Sequence, residues 1–165
     1  MKSIITFMVG LLVSVGVLGE QCRVYTQEQM GALALAYSVG KPHDLSYTLM
    51  ALVERESFVG DHIIRVNSKD GKYGSYGISH INLETAMWIE GVKNQWQARA
   101  EIAPRLVADD LYSLNLSLRK LEANADLGWT DMVRSYNGSV RSPKTLEYLN
   151  GIRANIKKYK NCWGR

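Results

Sequence analysis

Residues 45–57 read Leu-Ser-Tyr-Thr-Leu-Met-Ala-Leu-Val-Glu-Arg-Glu-Ser. Leu45, Leu49, Leu52, Val53 and Glu56 fall on the i, i+4, i+7, i+8, i+11 series of one helical face. Eleven residues make about three turns, so Glu56 stands in line with Leu45. Asp44 is placed to cap this helix, which is expected to end near Ser57, and Glu54 and Arg55 are expected to face solvent. Glu56 is then a carboxyl on an apolar stripe, at the end where the helix dipole is negative. Desolvation and dipole both favour its protonated form. A carboxyl that keeps its proton near neutral pH is what general-acid chemistry requires. The plainer alternative is a side chain that bends out to water or pairs with an arginine.

On the N-terminal side, Thr26 and Gln29 have the spacing of a capping box. The helix they open carries Met30, Leu33, Ala34 and Tyr37 and is stopped by Gly40, Lys41 and Pro42. On the C-terminal side the texture changes. Phe58 to Ser79 contains Gly60, Gly71, Gly74 and Gly77 with only short apolar pieces, which reads as a long loop or a small irregular sheet. Asn82 caps a short helix ended by Gly91. Pro104 opens the longest helical pattern, with Leu106, Leu111, Leu114, Leu118 and Leu121 on one face. Thr130 caps a segment through Tyr136 that Gly138 breaks, and Ser142-Pro143 starts a last helix reaching Tyr159. The fold class is therefore mainly α, six or seven helices with one glycine-rich excursion.

Composition agrees: 165 residues, 46% hydrophobic, 22% charged and only 3 Pro describe one ordinary globular domain. Lys2 followed by the uncharged run Ser3 to Gly19 reads as a signal peptide or signal-anchor over 1–19, leaving 20–165 as the working domain. Export would place Cys22 and Cys162 in an oxidising compartment, where one bridge tying the ends together is expected, two free thiols being the alternative. Two cysteines and 3 His make a metal site improbable. The net charge of +4 suits a polyanionic surface such as the bacterial wall. No basic-aromatic motif points to nucleic acid.

Three segments in order, Glu56-Ser57, then Gly74-Ser75-Tyr76-Gly77-Ile78-Ser79-His80-Ile81-Asn82, then Tyr136-Asn137-Gly138, resemble the signatures of the soluble lytic transglycosylase family. That family belongs to the lysozyme-like superfamily, with the goose-type lysozymes. The resemblance spans roughly Thr26 to Tyr159. It implies a lysozyme-like fold, peptidoglycan glycan strands as substrate, no cofactor, a monomer, and contact with the inner membrane only through the N-terminal segment. Small exported phage endolysins and the muramidases of secretion or conjugation systems share this size and layout. Glu56 matches the family's acid/base and Ser57 the serine beside it. Gly77 and Ile78 match the stretch that lets backbone run close to a sugar, with Ser75 nearby. Tyr136 and Asn137 match the tyrosine and asparagine near the glutamate. Ser79-His80 departs from the usual Met-Gln, so His80 stands where a substrate-contacting glutamine is expected.

Each match has a plainer reading. Tyr136 can be a core aromatic, Asn137-Gly138 a helix cap, Gly77 a turn residue and His80 a surface residue. Trp88, Trp96, Trp129 and Trp163 read as core or rim packing rather than sugar platforms. Such transglycosylases work with one carboxyl, because the substrate's own N-acetyl group and C6 hydroxyl replace water. An inverting hydrolase needs a second carboxylate about 6.5–9.5 Å away, for which Asp70, then Asp61, are the candidates. A non-catalytic peptidoglycan-binding or assembly module is a further alternative, and a holin-like membrane protein is disfavoured because a whole globular domain follows the apolar segment.

Overall fold

In the computed structural model the stretch from Leu45 becomes helix α2, Ser46–Ser57, most of which is buried, with Arg55 exposed as expected. Thr48 through Glu54 are all buried, so α2 is a central helix rather than an amphipathic one. Residues 22–66 and 74–163 are described here. The expected leader and Asp70 lie outside the described residues. Asp44 does not cap α2: it takes a left-handed conformation closing a 3-10 turn, Lys41–His43, and Leu45 precedes the helix without a side-chain cap.

Helix α1, Gln27–Gly40, opens with the expected reciprocal Thr26–Gln29 capping box. It packs against α2 through Leu33, Ala36 and Gly40, with Met30, Ala34 and Tyr37 outside, so its buried face is rotated from the expected one. Gly40 fixes that rotation. A Cβ there would sit 2.6 Å from the Leu45 carbonyl carbon, so only glycine lets the two helices approach so closely.

The glycine-rich excursion forms a three-stranded antiparallel sheet in the order β1 (Ile64–Val66), β2 (Gly74–Tyr76), β3 (Ile81–Asn82). Asn82 then caps α3, Leu83–Glu90, by accepting from the Glu84 backbone N–H, and Gly91 ends it. A short α4 (Gln95–Gln97) runs through a π-helical turn into α5 (Ala103–Ala108). The pattern opened by Pro104 is not one helix: Asp109 breaks it and caps α6, Asp110–Glu122, which turns Leu111 outward. Helix α7 spans Gly128–Asn137, starting before Thr130, and the longest helix is α8, Pro143–Trp163. Trp88 and Trp96 stand exposed, whereas Trp129 and Trp163 pack against the core.

Glu54 overturns the solvent assignment. Its side chain is only 10% exposed and forms 3.0 Å ion pairs with Arg23 and Lys158. It also accepts from Tyr25 and Tyr159, each at 2.8 Å. Burial pushes its pKa up, but the hydrogen bonds from Lys158, Tyr25 and Tyr159 outweigh it and hold the carboxyl below its usual value. A carboxyl depressed in the folded state stabilises the fold above its unfolded pKa of about 4.3, and that contribution fades as pH falls through the lower folded value. Glu54→Gln should therefore cost about 2 kcal/mol at neutral pH. Urea unfolding should show the gap to the native chain closing below about pH 4; a gap independent of pH would contradict this role.

Candidate active site

The end of α2 is built to hold a sharp exit. Ser57 is fully buried; its hydroxyl donates to the Val53 carbonyl (3.2 Å) and accepts from the Gly60 N–H (2.8 Å). Phe58 and Val59 follow at φ of 54° and 63°, a left-handed turn that carries the chain away and leaves Glu56 at the rim of a cleft. Ser57 thus secures the turn rather than lining the cleft.

The Glu56 side chain is 12% exposed. Its Oε1 accepts a 2.6 Å hydrogen bond from the Tyr148 hydroxyl of α8, and its Oε2 lies 3.7 Å from His80 Nδ1. Burial first, then the negative charge of Glu56, raise the Tyr148 phenol far above its ordinary pKa, so it remains a donor. His80 turns its Nε2 to the His62 carbonyl, which can only accept, so that nitrogen carries the proton. Nδ1 is thereby aimed at Glu56, buried and without a hydrogen-bond partner.

The turn that presents His80 is locked from beneath. Tyr136 donates to the Ser79 carbonyl (2.8 Å), and Ser117 Oγ lies 2.8 Å from the Tyr136 hydroxyl and 2.6 Å from Ser79 Oγ. Gly77, at φ 78°, would place a Cβ 2.3 Å from the Leu106 carbonyl oxygen and 2.5 Å from Ser113 Oγ. Its missing side chain lets the turn pack closely against Leu106 and Ser113. Ile78 is buried in the core. His80 itself holds a φ of 47°, unusual for a residue with a side chain.

Around Glu56 the cleft, about 260 Å³, is lined by Arg65, Ser75, His80, Asn82, Lys120, Tyr136 and Asn137. Sheet register explains three of these: Arg65 pairs with Ser75 and Ser75 with Asn82, forming one cross-strand polar row. Lys120 donates to the Tyr136 carbonyl at 2.6 Å and sits 4.2 Å from the centre of its ring. Burial lowers its pKa to about 8 against the opposing pull of Glu56. Burial and Glu56 raise the Tyr136 phenol.

Of the residues read from sequence, Ser75, His80, Tyr136 and Asn137 join Glu56 at the cleft, while Ser57, Gly77 and Ile78 support it from within. Arg65, Lys120 and Tyr148 were missed, and Asn82 was read only as a cap. For Lys120 a signal existed: Ser113, Ser117 and Lys120 form a polar i, i+4, i+7 series inside a leucine helix. Asp61 accepts from Gln29 at 3.2 Å and lines a different hollow, beside α1. Among the described residues the cleft lining holds no carboxylate besides Glu56, and no group of three or more His, Cys, Asp or Glu is placed to hold a metal.

Comparison with known protein families, curated proteins and solved structures finds no match to this chain. The chemistry of the site rests on its own geometry.

If Tyr148 fixes the Glu56 carboxyl, Tyr148→Phe should reduce turnover at this cleft about tenfold, the value of one hydrogen bond to a charged group. KM should change little. An unchanged kcat would remove Tyr148 from the machinery.

Proposed function

We propose that this chain is a lysozyme-like lytic transglycosylase that cleaves the glycan strands of peptidoglycan. One observation carries the reading: a largely buried carboxyl, held by Tyr148, opens onto a polar cleft beside the buried turn that presents His80. Glu56 protonates the oxygen of the β-1,4 bond after N-acetylmuramic acid, and the substrate's N-acetyl carbonyl takes up the positive charge left at C1. Glu56, now a carboxylate, removes the proton of the C6 hydroxyl as O6 bonds to C1. A 1,6-anhydro ring forms, Glu56 regains its proton, and no water is consumed.

The row Arg65, Ser75, Asn82 supplies donors along the strand-side wall of the cleft, as needed to orient a sugar polymer. His80, in the place of the family glutamine, points its free nitrogen at the carboxyl rather than fully into the cleft. The Cys22–Cys162 bridge is consistent with an exported protein. No helix among the described residues is long and apolar enough to cross a membrane. Incubation of the 20–165 domain with purified bacterial sacculi tests the proposal: turbidity should fall, and intact sacculi after prolonged incubation would refute it.

A further inference from the structure

A hollow of about 820 Å³, larger than the Glu56 cleft, lies elsewhere on the domain. It lies at the other end of α2, walled by α1, the 41–43 turn, the start of α7 and the C-terminal half of α8. Thr48 at that end and Glu56 at this one are separated by about 12 Å of helix. Four cations line the hollow, Lys41, Arg153, Lys157 and Lys160, against one carboxylate, Asp44. The last three are i, i+4, i+7 on one face of α8. Among the described residues none of the four cations forms an ion pair, whereas Lys158, the next residue along, is committed to Glu54. For a chain whose net charge is +4, this is a concentrated positive surface.

Three aromatic rings, Tyr37, Tyr47 and Trp129, share the same walls. Their orientation is set in advance. The Trp129 indole N–H donates to Thr48 Oγ1 at 3.1 Å, and Tyr37 meets Tyr47 edge to face at 5.6 Å. Two of the cations sit against these rings, Lys160 5.7 Å over Tyr47 and Arg153 5.8 Å over Trp129. Rings take the apolar face of a sugar, and the adjoining cations take an acidic substituent on it. A bare polyanion would leave the rings unused, and a neutral glycan would leave the cations unused. Single-stranded nucleic acid also combines rings with charge. The disulfide at Cys162, at the same end of α8, favours a glycan, because it points to an oxidising compartment.

We propose that this groove is a second binding site, distinct from the Glu56 cleft, for an acidic glycan whose sugar rings carry carboxylate groups. It holds the domain to that glycan independently of the Glu56 cleft, and the inference stands apart from the reading of Glu56.

The test is calorimetric titration of the whole 20–165 domain with tetragalacturonate at low salt. A neutral dextran tetramer, polyglutamate and single-stranded DNA serve as comparators. Tetragalacturonate should bind, and Lys157→Glu with Lys160→Glu should weaken it about tenfold or more. Both lysines are exposed, so thermal unfolding should be unchanged. Arg65→Glu in the Glu56 cleft should leave this binding intact. Absence of binding would overturn the proposal, as would loss in Arg65→Glu with none in the lysine variant. Equal binding of polyglutamate or DNA would overturn the glycan specificity on which it rests.

Discussion

Glu56→Gln should lower turnover on purified sacculi by about 10²–10⁴-fold or more while leaving the unfolding transition in place. The amide oxygen can still accept from Tyr148, which now reaches Oε1 at 2.6 Å, so the side chain should keep its position. What it loses is the proton. In the proposed cycle the same group gives a proton to the leaving oxygen and takes one from the C6 hydroxyl, so both halves fail together. A variant retaining turnover within about tenfold of the native chain would show that another group carries the acid/base role. The comparison with Glu54→Gln sharpens the result. Two carboxyls lie two residues apart on one helix, and the two substitutions should separate cleanly, Glu56 affecting rate and Glu54 affecting stability.

The second large effect concerns the ends of the chain. Cys22 and Cys162 form a disulfide across a sequence separation of 140, with Cα atoms 5.8 Å apart. Closing a loop of that length constrains the unfolded chain by about 4–5 kcal/mol in the chain-entropy account. Replacing both cysteines by serine should lower the melting temperature by roughly 10–20 °C for a domain of this size. The bridge does not act alone. Tyr25, Tyr159 and Trp163 cluster near these ends, with ring centres 5.6–6.4 Å apart, and Glu54 ties Arg23 and Tyr25 to α8. Tyr148, the residue that holds Glu56, lies fourteen residues before Cys162, about 21 Å along α8. Turnover measured well below the melting transition should therefore survive. Two free thiols in the native protein, or activity lost at temperatures where the serine variant is folded, would contradict this division.

Much of this was legible in the sequence because it is local. The Thr26–Gln29 capping box, the Asn82 cap, the Gly91 stop and the Pro143 start each need only a few neighbouring residues. Helical periodicity anticipated the burial of Glu56 but did not single it out, because Glu54, off the stripe, is buried as well. The fate of Glu54 was not local: its partners stand at positions 23, 25, 158 and 159, and no periodicity in α2 announces them. Tyr148 was hidden for the same reason, meeting Glu56 across 92 residues. The rotated face of α1 came from Gly40, whose close approach to Leu45 decides which side of the helix faces inward. Leu111 misled because Asp109 can both end one helix and cap the next, and a shared leucine stripe conceals the break. Gly77 and Ile78 were assigned to substrate through the family resemblance, while their geometry serves the packing that sets His80 against Glu56.

The central claim is that Glu56 works without a second carboxylate, and the chemistry of the products tests it most directly. Purified sacculi digested by the 20–165 domain, and by its Asp70→Asn variant, would be resolved into muropeptides and weighed by mass spectrometry. The expected result is 1,6-anhydro ends in both digests at comparable rates, each product lighter by one water than its hydrolysed counterpart. Reducing ends from the native chain, lost in Asp70→Asn as fully as in Glu56→Gln, would contradict it and assign the site to a hydrolase.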